Sequence, residues 1–163
     1  MDNKGLPGPI YKIFGVTLVE LLVVVAVLAT LTGLGIAGYS SYRDTSRINT
    51  SKQDIVEIAA VIDRYKLATG NWPQSLNDIN QQHRKDPWGN DYVYAPIPSL
   101  IGIITVGGTN IRQDANQRPI NTFYDLYSKG KDGATQSNIS AMVSKDDVLR
   151  ARDGEFIGLA SDY

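Results

Sequence analysis

The sequence predicts an α+β protein in which one long N-terminal helix packs on a small antiparallel sheet with a C-terminal loop region. Three observations carry this prediction. An almost uncharged apolar run occupies residues 16–38, apolar residues at helical spacing follow it, and short β-rich runs separated by turn residues fill the second half. The 163 residues allow one modest core, and a composition of 42% hydrophobic and 20% charged residues argues against wholesale disorder.

Composition argues against several classes of function. The net charge of −1 disfavours nucleic acid as a main partner, because phosphate binding needs a basic excess. The chain has no cysteine, which excludes disulfides, thiolate metal sites and cysteine nucleophiles. His83 is the only histidine and lies in a polar stretch, and neither a G-x-S-x-G motif nor a phosphate-binding loop is present. We therefore expect no catalytic residues and no enzymatic activity.

The first predicted element is a transmembrane or filament-core helix over residues 16–38. Glu20 is the only charged residue from Val16 to Ala37, and about 20 apolar helical residues span the hydrocarbon core of a bilayer. The preceding residues 1–15 are short and contain two lysines. An ordinary secretory signal peptide, cleaved near Ala37 or Gly38, remains open as an alternative.

Glu20 is unusual within such a run. A carboxylate near the bilayer costs roughly 2.5–3.5 kcal/mol, so it is usually retained for a partner. Cleavage after Gly15 would free an amine on Val16, and this amine could pair with Glu20 of the same helix or of a neighbouring one. A buried pair of this kind tolerates little misalignment and can fix the register between subunits.

Residues 39–70 are predicted to form the amphipathic half of the same helix. Their apolar residues follow a three-to-four spacing that leaves most charged residues outside one stripe: Ile48, Ile55, Ile58, Ala59, Ile62 and Tyr65. Gly70 is a suitable C-terminal stop. We expect this stripe to cover one face of a small domain.

Residues 71–163 are predicted to form a globular α+β head. The Trp72-Pro73 step ends the long helix, and Ser75 with Asp78 is typical of the cap of a short helix. Three runs are typical of strands with their turns: "DPWGNDYVYAP", "SLIGIITVGG" and "TFYDLYSKG". The stretch "TNIRQDANQRPIN" is interpreted as a polar loop.

Several of these motifs resemble known families. "GVTLVE" followed by the apolar run is similar to the class-III signal of type IV pilins, and three further motifs resemble the major pseudopilin of type II secretion systems: "RYKLATGNWP", "DPWGNDYVY" and "FYDLYSKGKDG". The resemblance covers Val16 to about Gly133 and implies the type IV pilin fold. Adhesive and motility pilins often close their C-terminal region with a disulfide, so the absence of cysteine favours the pseudopilin branch.

The resemblance also implies processing and assembly residues. Residues 1–15 would be a prepilin leader peptide, removed by prepilin peptidase between Gly15 and Val16. The same enzyme would methylate the new N-terminus on Val16. Unlike a secretory signal, the apolar helix would be retained, and Glu20 would act in assembly.

Calcium is the one cofactor that the resemblance implies, since the family binds it in the C-terminal loop. The carried-over ligands are Asp132, in a matching Gly-x-Asp-Gly, and an acid matching Asp146 or Asp147. Oxygens of Ser128 and of the Lys129 backbone carbonyl complete the predicted set, since calcium takes six to eight oxygen ligands. A merely solvated acidic loop is the alternative.

The predicted function is that of a structural subunit of a type II secretion pseudopilus, which polymerises from the inner membrane to drive protein export. The resemblance implies a single-pass protein of the bacterial inner membrane with its C-terminal domain in the periplasm and the filament in the periplasm or at the cell surface. The implied partners are further copies of the chain, prepilin peptidase, minor pseudopilins, an inner-membrane platform protein and an assembly ATPase. Two alternatives stay open: a type IV pilus or competence pilus subunit, and a monomeric, membrane-anchored, calcium-binding periplasmic module.

Overall fold

The computed structural model describes residues 15–97 and 111–163, without the side chains of residues 34–38. The chain divides into two compact units, Met1–Ser41 and Tyr42–Tyr163. Most of the predicted leader, residues 1–14, lies outside the described residues, and so does the predicted strand "SLIGIITVGG".

In the described part of the chain, the main elements are one long helix and four strands. The helix α1 is Leu18–Thr69, and the strands are β1 (Val93–Pro96), β2 (Tyr124–Ser128), β3 (Val148–Ala151) and β4 (Phe156–Leu159). Short 3-10 turns lie between them, at Leu76–Ile79, Met142–Ser144, Arg152–Gly154 and Ala160–Asp162. The predicted α+β class is therefore confirmed.

In the first unit, α1 presents apolar side chains all around its axis. From Val16 to Leu31 the large hydrophobic side chains are between 50% and 78% exposed. Thr30 and Thr32 donate their hydroxyl hydrogens to carbonyl oxygens one turn earlier, Ala26 and Leu28 among them, which satisfies both hydroxyls within the helix. A search of the described residues finds no helix with a stretch both long enough and apolar enough to cross a membrane.

In the second unit, the predicted apolar stripe of α1 is confirmed. Ile55, Ile58 and Ile62 are fully buried, Ala59 is nearly so, and the flanking Ile48 and Tyr65 pack against them. The helix ends as predicted at Gly70, whose φ of +76° suits glycine and whose N–H donates to the Lys66 carbonyl at 2.9 Å.

The four strands form one antiparallel sheet in the order β1-β2-β3-β4. Val93 pairs with Tyr127 and Pro96 with Tyr124 between the first two strands, while β2 and β3 share only two residue pairs. The strands predicted from "DPWGNDYVYAP" and "TFYDLYSKG" are β1 and β2.

Strands β3 and β4 lie where the sequence predicted only a C-terminal loop region. All four residues of β3 are buried, including Arg150, so "VLRA" lacks the apolar–polar alternation that marks a half-exposed strand. Both faces of the sheet are covered: one apolar cluster contains Ile58, Tyr124 and Val148, and a second contains Tyr127, Leu149 and loop residues.

Candidate functional site

The predicted processing and assembly residues lie at the start of α1. Among the described residues, no atom lies within 4 Å of a Cβ atom that could be built on Gly15, and Val16 is 74% exposed. The Glu20 Oε2 atom accepts hydrogen bonds from the Thr17 N–H at 2.9 Å and the Thr17 hydroxyl at 2.8 Å, and the Glu20 N–H donates to Thr17 Oγ1 at 3.2 Å. This is a capping box. Glu20 thus has a local helix-capping role that the sequence interpretation did not weigh.

In the second unit, two of the predicted calcium ligands lie together. Asp146 Oδ2 accepts hydrogen bonds from the backbone N–H groups of Lys131 and Asp132, at 2.8 and 3.1 Å. Asp132 Oδ1 accepts a bond from the Ala134 N–H at 2.8 Å. Both carboxylates therefore accept hydrogen bonds from the backbone of this turn.

The other predicted ligands face different partners. Asp147 is fully buried and forms an ion pair with Arg112. The Ser128 hydroxyl donates to Asp86 Oδ2 at 2.5 Å, and Lys129 is half-buried directly after β2. Among residues 15–97 and 111–163, no group of three acidic or histidine side chains is arranged to hold a metal ion.

The two motifs of the head that carry the resemblance contact each other. In the "DPWGN" turn, Asp86 Oδ1 accepts hydrogen bonds from the N–H groups of Trp88 and Asn90, at 3.0 and 2.8 Å, which confirms the predicted turn. Asp86 Oδ2 then receives the Ser128 hydroxyl, and Asn90 Nδ2 donates to the Gly130 carbonyl at 3.0 Å. The turn before β1 is thereby fastened to the loop after β2.

A buried polar cluster behind β2 is the feature that sequence reasoning missed. Arg112, only 1% exposed, lies in the stretch interpreted as a polar loop. Its backbone N–H donates to Asp125 Oδ2 at 2.6 Å, and its guanidinium stacks 4.2 Å from the centre of the Tyr127 ring. Neighbouring polar residues such as Asn116 and Gln117 are exposed, so local polarity gave no signal that this arginine is buried.

Burial dominates the electrostatics of this cluster. It raises the pKa of Asp147 to about 6, while hydrogen bonds from Thr135 and Arg112 act in the opposite direction. Burial likewise raises the pKa of Asp125, against hydrogen bonds from the Asn121 amide and the Arg112 N–H. Burial thus opposes the charged form of Asp147, and the ion pair with Arg112 provides the compensation that a buried carboxylate needs.

A second polar cluster fastens the loop before β1 to α1. Arg84 forms ion pairs with Asp54 and, at 2.6 Å, with Glu57. The Tyr92 hydroxyl donates to Asp54 Oδ2 at 2.7 Å, and burial raises the pKa of Tyr92. His83, beside this cluster, is exposed. These contacts join the loop before β1 to the second half of α1.

Comparison with known proteins identifies relatives of this chain. It is 35% identical over 141 residues to the type II secretion system core protein G of Pseudomonas aeruginosa, a match that covers 73% of this chain and 84% of the relative. It is 21% identical over 141 residues to a fimbrial protein of Neisseria meningitidis, covering 85% of this chain and 79% of the relative. No family model matches the chain, and no solved structure does.

The first relative and the observed fold support the same family assignment. Its match extends over more than two thirds of both chains. The resemblance implied a long helix packed on a small antiparallel sheet, and the structure has this arrangement with four strands. The chain belongs to the family of the type II secretion system core protein G.

Proposed function

We propose that this chain is the structural subunit of a type II secretion pseudopilus and that it polymerises to drive protein export. The observation that carries the proposal is the 35% identity with the secretion core protein over 73% of the chain. In the head, the ion pairs of Arg84 with Asp54 and of Arg112 with Asp147 join loops to the rest of the domain, as expected of a building block.

The site of action that we propose is the bacterial inner membrane, with the head in the periplasm. The support is chemical: from Val16 to Leu31 the large hydrophobic side chains are between 50% and 78% exposed, so they need lipid or neighbouring helices around them. Membrane burial before assembly and helix burial in the filament would each provide such surroundings.

The proposed partners follow from the resemblance. Prepilin peptidase would remove residues 1–15 and methylate Val16, and minor pseudopilins, the platform protein and the assembly ATPase would add subunits. Gly15 supports this step because no atom of the described residues lies within 4 Å of an added Cβ at this position.

A pilus subunit is the second candidate, and the fimbrial relative supports it. Both candidates form filaments, so filaments alone distinguish them only from a monomeric periplasmic module. The secretion of an exported protein is the property that separates the two filament functions.

The test is complementation in a bacterium that lacks its own major pseudopilin. We expect this chain to restore secretion of an exported enzyme to the medium, and sheared surface material to contain thin filaments whose subunit is identified by mass spectrometry. A matched strain that expresses a fimbrial subunit should not regain secretion. Filaments without restored secretion would favour the pilus function, and the absence of filaments would contradict both.

A further inference from the structure

We propose that the guanidinium of Arg112 is the built-in cation that closes the C-terminal loop, in the place of the calcium ion that the family resemblance implies. The inference concerns the stability of the head, so it does not depend on which filament the subunit builds.

The first observation is the set of oxygens around Arg112. Its Nη1 donates to Thr135 Oγ1 and, at 2.5 Å, to the Gln136 carbonyl, and its Nη2 donates to Asp147 Oδ2. One carboxylate, one hydroxyl and one backbone carbonyl are the ligand types that a loop offers to calcium. Here a guanidinium already occupies their centre.

The second observation is charge. Asp147 and Arg112 are 0% and 1% exposed at their side chains, so neither can be compensated by water. A divalent ion bound to Asp147 would lie beside the fixed positive charge of Arg112, since an arginine stays protonated in proteins. The pair therefore excludes the cation that an unpaired Asp147 would attract.

The third observation is that the remaining predicted ligands do not fit a calcium shell. Asp132 and Asp146 accept hydrogen bonds from backbone N–H groups of the turn itself. The Ser128 hydroxyl is directed to Asp86. Each of these side chains has a hydrogen-bond partner, and Asp147 is paired with Arg112.

The geometry also explains why the cation is an arginine. The guanidinium fork reaches three acceptors at once while its face lies on the Tyr127 ring. In addition, the Arg112 backbone N–H is held by Asp125 of β2. The loop that contains Arg112, the loop of Thr135 and the residue before β3 are thereby joined through one side chain.

The first test is thermal unfolding of the full chain in detergent after removal of metal. We expect the same melting temperature with millimolar calcium as with millimolar magnesium, and no loss in chelator. A melting temperature that is higher in calcium than in magnesium would overturn the proposal.

The second test is a double-mutant cycle with Arg112→Met, Asp147→Leu and the double variant, and with the exposed Arg118→Met as the matched control. Each single variant leaves one buried charge alone, so we expect a loss of roughly 10 °C in melting temperature. The decrease in melting temperature of the double variant should be smaller than the sum of the two single decreases. Arg118→Met should leave the melting temperature almost unchanged.

Arg112→Lys gives a further readout, because lysine keeps the charge but cannot reach all three acceptors. We expect it to melt between the wild type and Arg112→Met. If a single variant fails to fold while the double variant folds, the pairing is supported. If the double variant is no more stable than either single variant, the proposed pairing of Arg112 with Asp147 is overturned.

Discussion

At the residue scale, Gly130 lies in the turn after β2, at a position that leaves no room for a side chain. Its φ is +66°, in the left-handed region, and a Cβ atom there would lie well inside van der Waals distance of the Asp146 carbonyl carbon and oxygen. Those atoms belong to backbone, which cannot swing away as a flexible side chain would. The glycine of the "SKGKDG" motif is therefore required by a close approach of two loops.

We predict that Gly130→Ala lowers the free energy of unfolding by about 3 kcal/mol or more, through left-handed strain and overpacking combined. Gly70→Ala is the matched control, because Gly70 also has a positive φ but nothing within 4 Å of an added Cβ. It should lose only about 1 kcal/mol. Thermal unfolding of the full chain measures both, and equal losses would show that the approach to Asp146 is not limiting.

Glu20 presents two roles that one substitution can separate. Glutamine at the third helical position can still close a capping box, whereas alanine cannot. Glu20→Gln therefore keeps the bond to Thr17 and removes the charge.

If the charge of Glu20 acts in assembly, we expect Glu20→Gln and Glu20→Ala to insert into the membrane normally and to give few filaments. Crosslinking of membrane-resident subunits and the yield of sheared filaments measure the two steps. Normal filaments from Glu20→Gln, with a loss only in Glu20→Ala, would reduce the role of Glu20 to capping.

At the element scale, the second half of α1 holds the head through one face. Ile58 is fully buried on that face, while Val56, two residues earlier, is 52% exposed. Because residues two apart on a helix point in very different directions, these two side chains lie on opposite faces of α1.

We predict that Ile58→Ala lowers the free energy of unfolding by about 2–5 kcal/mol, since it leaves a cavity between α1 and the sheet. Val56→Ala, the matched control, should change it by no more than about 0.5 kcal/mol. Chemical unfolding followed by tryptophan fluorescence measures both, because Trp72 and Trp88 pack against this core. Similar losses for the two variants would contradict the assignment of the buried face.

At the scale of the whole molecule, the proposed function depends on a chain that is cut once and then polymerises. We predict that the mature subunit begins at Val16, and that its intact mass lacks residues 1–15 and includes one added methyl group on Val16. Gly15→Leu should block the cut without disturbing the fold, since no atom of the described residues lies within 4 Å of an added Cβ there. Mass spectrometry of membrane and filament fractions is the measurement, and a mature N-terminus at or after Gly38 would instead support a secretory signal peptide.

Most of the fold was predictable because its signals are local. The stripe from Ile48 to Tyr65 is a periodicity that any helix must show if it covers a core. The turn at Asp86 and the end of α1 at Gly70 depend on residues with special hydrogen-bonding or backbone preferences. Strands β3 and β4 were missed because β3 is buried on both faces and contains Arg150, so no alternation marks it.

The sequence by itself therefore determined the α+β class, the buried face of α1, the strands β1 and β2, and the family resemblance. Only the tertiary structure decided which charges are joined. Arg112 and Asp147 lie 35 residues apart, and neither residue differs locally from a solvated charge in a polar loop. The folding of the loops beside β2 and β3 brings the two side chains together. Both side chains are buried there, so each charge requires the other as its partner. Local sequence patterns contain no signal for such a requirement.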